Sequence, residues 1–196
     1  MRIGYYIQGA ADEALVHGLA ARWCPGADLG ARKFRGESGI SFRREIAKNL
    51  WDLRDNSRCD YLVVLTDSDE NPWRDVKRRE AERIPPDCRH LCVFGVAERN
   101  IECWLAADRD ALARELGCEA AEIPVDDPSG FVKRAFGLGK RDAAREEAKE
   151  RVARFVTGAP LWSWIRRSES FQAFYEDARA LAAQGKCQIR NERERD

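Results

Sequence analysis

The chain has 196 residues, and its 34 basic and 34 acidic side chains give a formal net charge of zero with both histidines neutral. Hydrophobic residues make up 44% and aromatics 9%, enough to build a core and to exclude disorder over most of the length. A balanced charge leaves any nucleic-acid contact to local patches, and no apolar run approaches the ~20 residues that a membrane helix needs.

Met1-Arg2-Ile3-Gly4 leads straight into a strand-like run rather than a signal peptide, which predicts a cytoplasmic protein. The apolar run Ile3 to Ile7 ends at Gln8-Gly9. From Asp12 to Trp23, Ala14, Leu15, Leu19 and Trp23 fall near helical spacing, with Asp12 available as a cap. Asp28 to Phe34 is a second strand candidate, and Ser41 to Leu53 reads as one helix with Ile46, Leu50 and Leu53 on one face. Tyr61 to Leu65 is continuously apolar, as in a strand buried on both faces of a parallel sheet. A polar helix over Trp73 to Arg83 is stopped by Pro85-Pro86, and His90 to Val96 gives another buried strand before a helix near Glu98.

Strands alternating with helices predict an open α/β sheet over residues 1–108. Beyond it Arg109 to Leu116, Pro128 to Phe136, Arg141 to Val156 and Ser168 to Ala183 all read as helices, a helical extension over 109–183. Residues 184–196 alternate Arg with Glu and are expected to fray. Seven cysteines (24, 59, 88, 92, 103, 118 and 187) lack the paired spacings of a zinc ribbon or a disulfide framework, so most are expected reduced and buried. Cys88, His90 and Cys92 have no second pair to complete a structural zinc site.

Ligands of an open parallel sheet bind outside the carboxyl ends of its strands, and acids gather at that edge. Asp67-Ser68-Asp69-Glu70 follows one strand, Glu98 and Glu102 follow the next, and Gln8, Asp12 and Glu13 follow the first. Paired carboxylates just past a buried strand repel each other unless a cation lies between them, and hard oxygen ligands suit Mg2+ or Mn2+. The same acids allow a plainer reading, in which Asp67 caps the next helix and Glu98 stays solvated.

The segments Ile7-Gln8-Gly9-Ala10-Ala11-Asp12-Glu13 and Val63-Val64-Leu65-Thr66-Asp67-Ser68-Asp69 resemble the Toprim domain of topoisomerases, primases and overcoming-lysogenization-defect nucleases. With Asn100-Ile101-Glu102-Cys103-Trp104-Leu105-Ala106-Ala107-Asp108 and Arg167-Ser168-Glu169-Ser170-Phe171, the chain is similar to a bacterial Toprim-like family of unknown function, often encoded beside predicted ATPases in phage-defence loci. The resemblance implies a Toprim-like open, mostly parallel sheet flanked by helices, and a magnesium- or manganese-dependent nuclease site for phosphodiester hydrolysis. It carries Asp67, Asp69 and Glu102 over as catalytic and metal-binding residues and Asp12 as an acidic neighbour. Gln8 stands where Toprim enzymes usually have glutamate. A glutamine offers a carbonyl to a metal but shuttles no proton, so Glu13 or Glu98 is left to supply the missing charge. The alternative is a noncatalytic nucleic-acid-binding or regulatory partner of an ATPase.

Two basic sets remain. Lys133, Arg134, Lys140 and Arg141, interleaved with Phe131 and Phe136, are the candidate contacts to a DNA or RNA backbone. Arg32, Lys33, Arg35, Arg43, Arg44 and Lys48 form the second set, read as a solvated face. Trp104 and Trp162 read as core, whereas Trp73, just behind the Asp67 loop, is the tryptophan placed to touch a substrate.

Overall fold

The computed structural model describes residues 1–33, 39–185, 187, 189 and 192. Phe34 of the second predicted strand, Arg35 of the second basic set and most of the 184–196 tail lie outside the described residues. Four parallel strands, β1 (Arg2–Ile7), β2 (Asp28–Lys33), β3 (Tyr61–Asp67) and β4 (Cys92–Ala97), form one sheet in the order β2-β1-β3-β4. Tyr5 is registered against Val63 and Asp67 against Ala97, so the carboxyl ends of β1, β3 and β4 open on one edge.

Alternate side chains of a strand point to opposite faces, and each face has its own helical layer. Tyr6, Leu62, Val64, Phe94 and Val96 pack under α2 (Gly39–Arg44), α3 (Ile46–Trp51) and α4 (Trp73–Ala81), where the Tyr6 ring stacks on Phe42 at 4.3 Å. Ile3, Tyr5 and Ile7 face α1 (Ala10–Trp23) and the helices of the second half: α5 (Ile101–Leu105), α6 (Arg109–Leu116), α7 (Ser129–Phe136), α8 (Asp142–Gly158), α9 (Leu161–Arg167) and α10 (Glu169–Ala182). Leu15, Trp104, Val132, Val156 and Phe171 belong to one continuous core, so the helical extension is packed into the sheet domain. No described helix is long and apolar enough to cross a membrane.

Helix α1 lies between the sheet and α8, which is why ten of its 14 residues are buried, acids included. A side chain at Gly18 would meet Val156 at 2.5 Å and the Ala153 carbonyl at 2.6 Å, so glycine sets the approach of these two helices. At the other rim, ion pairs Arg74–Glu169 and Lys77–Asp177 tie α4 to α10 beside β4, whose outer edge is otherwise a pairing hazard.

Several predicted elements are corrected. The helix expected over Ser41 to Leu53 is two: the Glu45 N–H bonds the Phe42 carbonyl three residues back, which interrupts the ladder before α3, and a π-helical turn Asp52–Asn56 follows. The fourth strand starts at Cys92 rather than His90, because Arg89–Leu91 turns as a 3-10 helix after the prolines. Helix α9 was hidden between Pro160 and Ser168, a span shorter than two helical periods. Trp73 is buried beside Val76 instead of facing a substrate. Cys24 and Cys187 are disulfide-bonded, a pair that the spacing did not signal, while Cys59, Cys88, Cys92, Cys103 and Cys118 are outside any disulfide, in line with the expectation that most of the seven are reduced. In the tail expected to fray, Cys187 and Glu192 are buried, with Glu192 paired to Arg22.

Candidate functional site at the carboxyl edge of the sheet

From β1 the chain first builds β2 on one side and then β3 on the other, so the crevice beyond the ends of β1 and β3 is the topological switch point where open sheets bind ligands. A cleft of about 230 Å3 lies there, and its lining includes Gln8, Asp12, Asp67, Glu102 and Lys133.

The turn from β1 into α1 fixes the first acid. Gly9 is the N-cap, and Asp12 reaches back so that its Oδ2 accepts from the Gln8 and Gly9 N–H groups, both at 2.9 Å. Burial pushes the Asp12 carboxyl up to about 6, the two backbone donors oppose that rise, and the Glu102 charge adds to it. Beside it the Thr66 hydroxyl donates to Gln8 Oε1 at 3.1 Å, which orients the glutamine within the cleft.

Asp67 ends β3. Its Oδ1 accepts from the N–H of Ile101 at 3.0 Å, so it caps α5, the helix after β4, rather than the helix that follows its own strand. The loops after β3 and β4 are joined by Ser68 N–H to the Ala97 carbonyl, Asp69 N–H to the Arg99 carbonyl and Arg99 N–H to Ser68 Oγ. Asp69 and Arg99 both take left-handed backbone, at φ 54° and 64°, a conformation costing non-glycine residues about 1 kcal/mol each. Burial raises the Asp67 carboxyl to about 8, and the Asp12, Glu102 and Asp69 charges push the same way.

Glu102 sits in the first turn of α5, buried, with Asn100 capping that helix through the Cys103 N–H. The Ser129 hydroxyl donates to Glu102 Oε2 at 3.4 Å, and Lys133 Nζ is 3.4 Å from Oε1. Both partners come from α7, which ends at Gly137 in left-handed backbone and turns Leu138 and Gly139 into the cleft wall. The strand β4 is set by Ser170, whose Oγ accepts from the Glu98 N–H at 3.1 Å and the Trp104 indole at 2.7 Å.

The structure thus brings Gln8, Asp12, Asp67 and Glu102 together and sends the other predicted acids elsewhere. Asp69 is exposed and faces Arg43 at 3.7 Å, and Arg43 also donates to the Asp67 carbonyl. Glu98 is exposed outside the cleft lining. Glu13 turns into the α1–α8 interface, where it accepts from Lys149 at 2.8 Å and Tyr5 at 3.3 Å. The side chains Gln8, Asp12, Asp67 and Glu102 leave the cleft without the tight geometry of a cage: among the described residues no group of three or more His, Cys, Asp and Glu side chains is placed to hold a metal ion. Of the predicted phosphate contacts, Lys133 is engaged with Glu102, while Arg134, Lys140 and Arg141 are exposed. Sequence patterning missed Thr66, Ser129 and Ser170, because isolated hydroxyl residues carry no periodic signal.

Comparison with known proteins yields no matching family model, curated protein or solved structure, so the cleft is read from its own side chains.

Proposed function

We propose that the cleft is the divalent-cation site of a Toprim-like enzyme that cleaves phosphodiester bonds in nucleic acid. The observation that carries this reading is the convergence of Asp12, Asp67 and Glu102 at the switch point, where burial first and the neighbouring Asp12 and Glu102 charges next raise the Asp67 carboxyl to about 8. Mg2+ binds through one or two carboxylates, several waters and substrate phosphate rather than through an all-protein cage, and the Asp67 and Glu102 carboxylates that line the cleft suit that mode. Asp67 and Glu102 would hold the cation, with Asp12 adding charge from beneath. When bound, Mg2+ or Mn2+ would polarise the phosphodiester and lower the pKa of a coordinated water. Gln8, held by Thr66, orients a neighbouring group through its amide without exchanging a proton. Arg134, Lys140 and Arg141, on α7 and the turn beyond it, supply positive charge for the nucleic-acid backbone beside the acidic crevice.

Gln8 favours a second reading, a cation-dependent nucleic-acid-binding partner of an ATPase that no longer cuts. The test is a Mn2+ titration of the full chain by calorimetry, followed by incubation with single- and double-stranded DNA and RNA. Cation binding with cleavage abolished in Asp67→Asn is the expected result. Cation binding without cleavage selects the second reading, and absence of cation binding overturns both.

A further inference from the structure

Three acids line the cleft, Asp12, Asp67 and Glu102, and Lys133 is the one basic residue among its lining. Two of the acids are held by backbone: Asp12 Oδ2 accepts from the Gln8 and Gly9 N–H groups, and Asp67 Oδ1 from the Ile101 N–H. Among the described residues only Glu102 of the three has an ionic partner, with Lys133 Nζ 3.4 Å from its Oε1. Arg43, from the opposite helical layer, is committed to the Asp67 carbonyl and to the exposed Asp69. Resting on the divalent-cation reading of this cleft, we infer that Lys133 is the resident counter-ion of Glu102, which holds the place of a metal ion in the free protein and makes the cleft choose divalent over monovalent cations.

The pair is built to open at its ammonium end. The Glu102 side chain is 4% exposed and that of Lys133 53%, so the carboxylate stays while the ammonium has water to turn to. Their 3.4 Å separation exceeds the roughly 2.7–2.9 Å of a charge-assisted hydrogen bond, and the Ser129 hydroxyl is equally far from Oε2. Ser129 and Lys133 lie one helical turn apart on α7, whose position is fixed by the buried Val132 and Phe136. Lys133 therefore leaves by turning its side chain, with the helix in place.

A tethered ammonium sets the terms of exchange. A monovalent ion from solution brings the same charge, sheds hydration, and gives up translational freedom that Lys133, already joined to the chain, does not lose. Against three carboxylates, twice the charge outweighs those costs, so exchange favours a divalent ion.

The test is calorimetry with Mn2+ on the native full chain and on Lys133→Met, joined to thermal unfolding in sodium chloride and in choline chloride at equal ionic strength. Methionine keeps an unbranched stem and removes the charge. Lys133→Met is expected to bind Mn2+ about 10-fold more tightly than the native chain. Sodium in place of choline is expected to raise its melting temperature and to leave that of the native chain unchanged. Lys133→Arg, which keeps the charge, should bind Mn2+ as the native chain does. Arg154→Met, which removes an exposed charge of α8 outside the cleft lining, should leave Mn2+ affinity within about 2-fold. If Lys133→Met does not fold, Lys133→Gln makes the same comparison. Equal or weaker Mn2+ binding by Lys133→Met, or the same sodium effect on both chains, overturns the role of Lys133 and leaves the cation site standing. Absence of Mn2+ binding by both chains overturns the cation site, and the role of Lys133 with it.

Discussion

Replacing Asp67 with asparagine is expected to stabilise the cation-free protein while removing its response to divalent cations. The carboxyl is raised from 3.8 to about 8 in the folded chain, chiefly by burial and then by the neighbouring Asp12 and Glu102 charges. Between those two pH values the folded state holds a proton that the unfolded state has lost. Its contribution to stability is therefore present below pH 3.8 and disappears as pH rises through about 8. The full span corresponds to a limit of roughly 6 kcal/mol at 1.36 kcal/mol per pH unit. Asp67 is only partly shielded from water and shares its repulsion with two other acids, so about 2 kcal/mol is the gain expected from Asp67→Asn at pH 8.5. Asparagine keeps an oxygen for the Ile101 N–H, so the α5 cap survives the change. For a chain of this size the gain corresponds to a rise in melting temperature of roughly 4–8 °C. Thermal unfolding at pH 5 and pH 8.5, with and without Mn2+, is the assay. The variant should exceed the native chain at the higher pH, show a flatter pH dependence and lose the stabilisation that Mn2+ gives the native chain. A variant less stable at pH 8.5, or equally stabilised by Mn2+, would refute the reasoning.

Gln8→Glu should tighten Mn2+ binding about 10-fold by calorimetry and lower cation-free stability, because it adds a fourth carboxylate to the cleft; a change in only one of the two would separate Gln8 from the acidic set. Gly18→Ala forces a methyl against the Ala153 carbonyl, so urea unfolding should show a loss of about 2 kcal/mol as α1 and α8 move apart. Glu13→Ala removes the buried one of the two carboxylates that hold the Lys149 ammonium, leaving it the exposed Glu146, and should cost about 2 kcal/mol, whereas Glu13→Gln with Lys149→Met should recover much of that; equal losses in both would show that the buried pair is not the source.

The local grammar of the chain was enough for the sheet. The unbroken run Tyr61 to Leu65 announces a strand buried on both faces, Gly9 and Asp12 mark where α1 starts, and the acids after β3 announce a carboxyl edge. Asp67 and Glu102 were each legible as acids of the carboxyl edge because each follows a recognisable strand by a short distance, although the sequence paired Asp67 with Asp69, which the structure turns away. What the pattern could not assign was which of several nearby acids turns inward. Asp12 and Glu13 are consecutive, yet one faces the cleft and the other Lys149, since successive helical residues point about 100° apart and only the position of α8 decides what each meets. Asp69 is drawn to Arg43 from the opposite helical layer, and Lys133 is recruited from α7 to neutralise Glu102 instead of standing free for phosphate. The tail shows the same division. Its alternation of Arg and Glu reads as solvated, but Cys24 and Arg22, more than 160 residues earlier, bond Cys187 and Glu192. Periodicity records what each residue does to its neighbours in sequence, whereas charge pairing and disulfide bonding depend on distances that exist only after the helices have packed on the sheet.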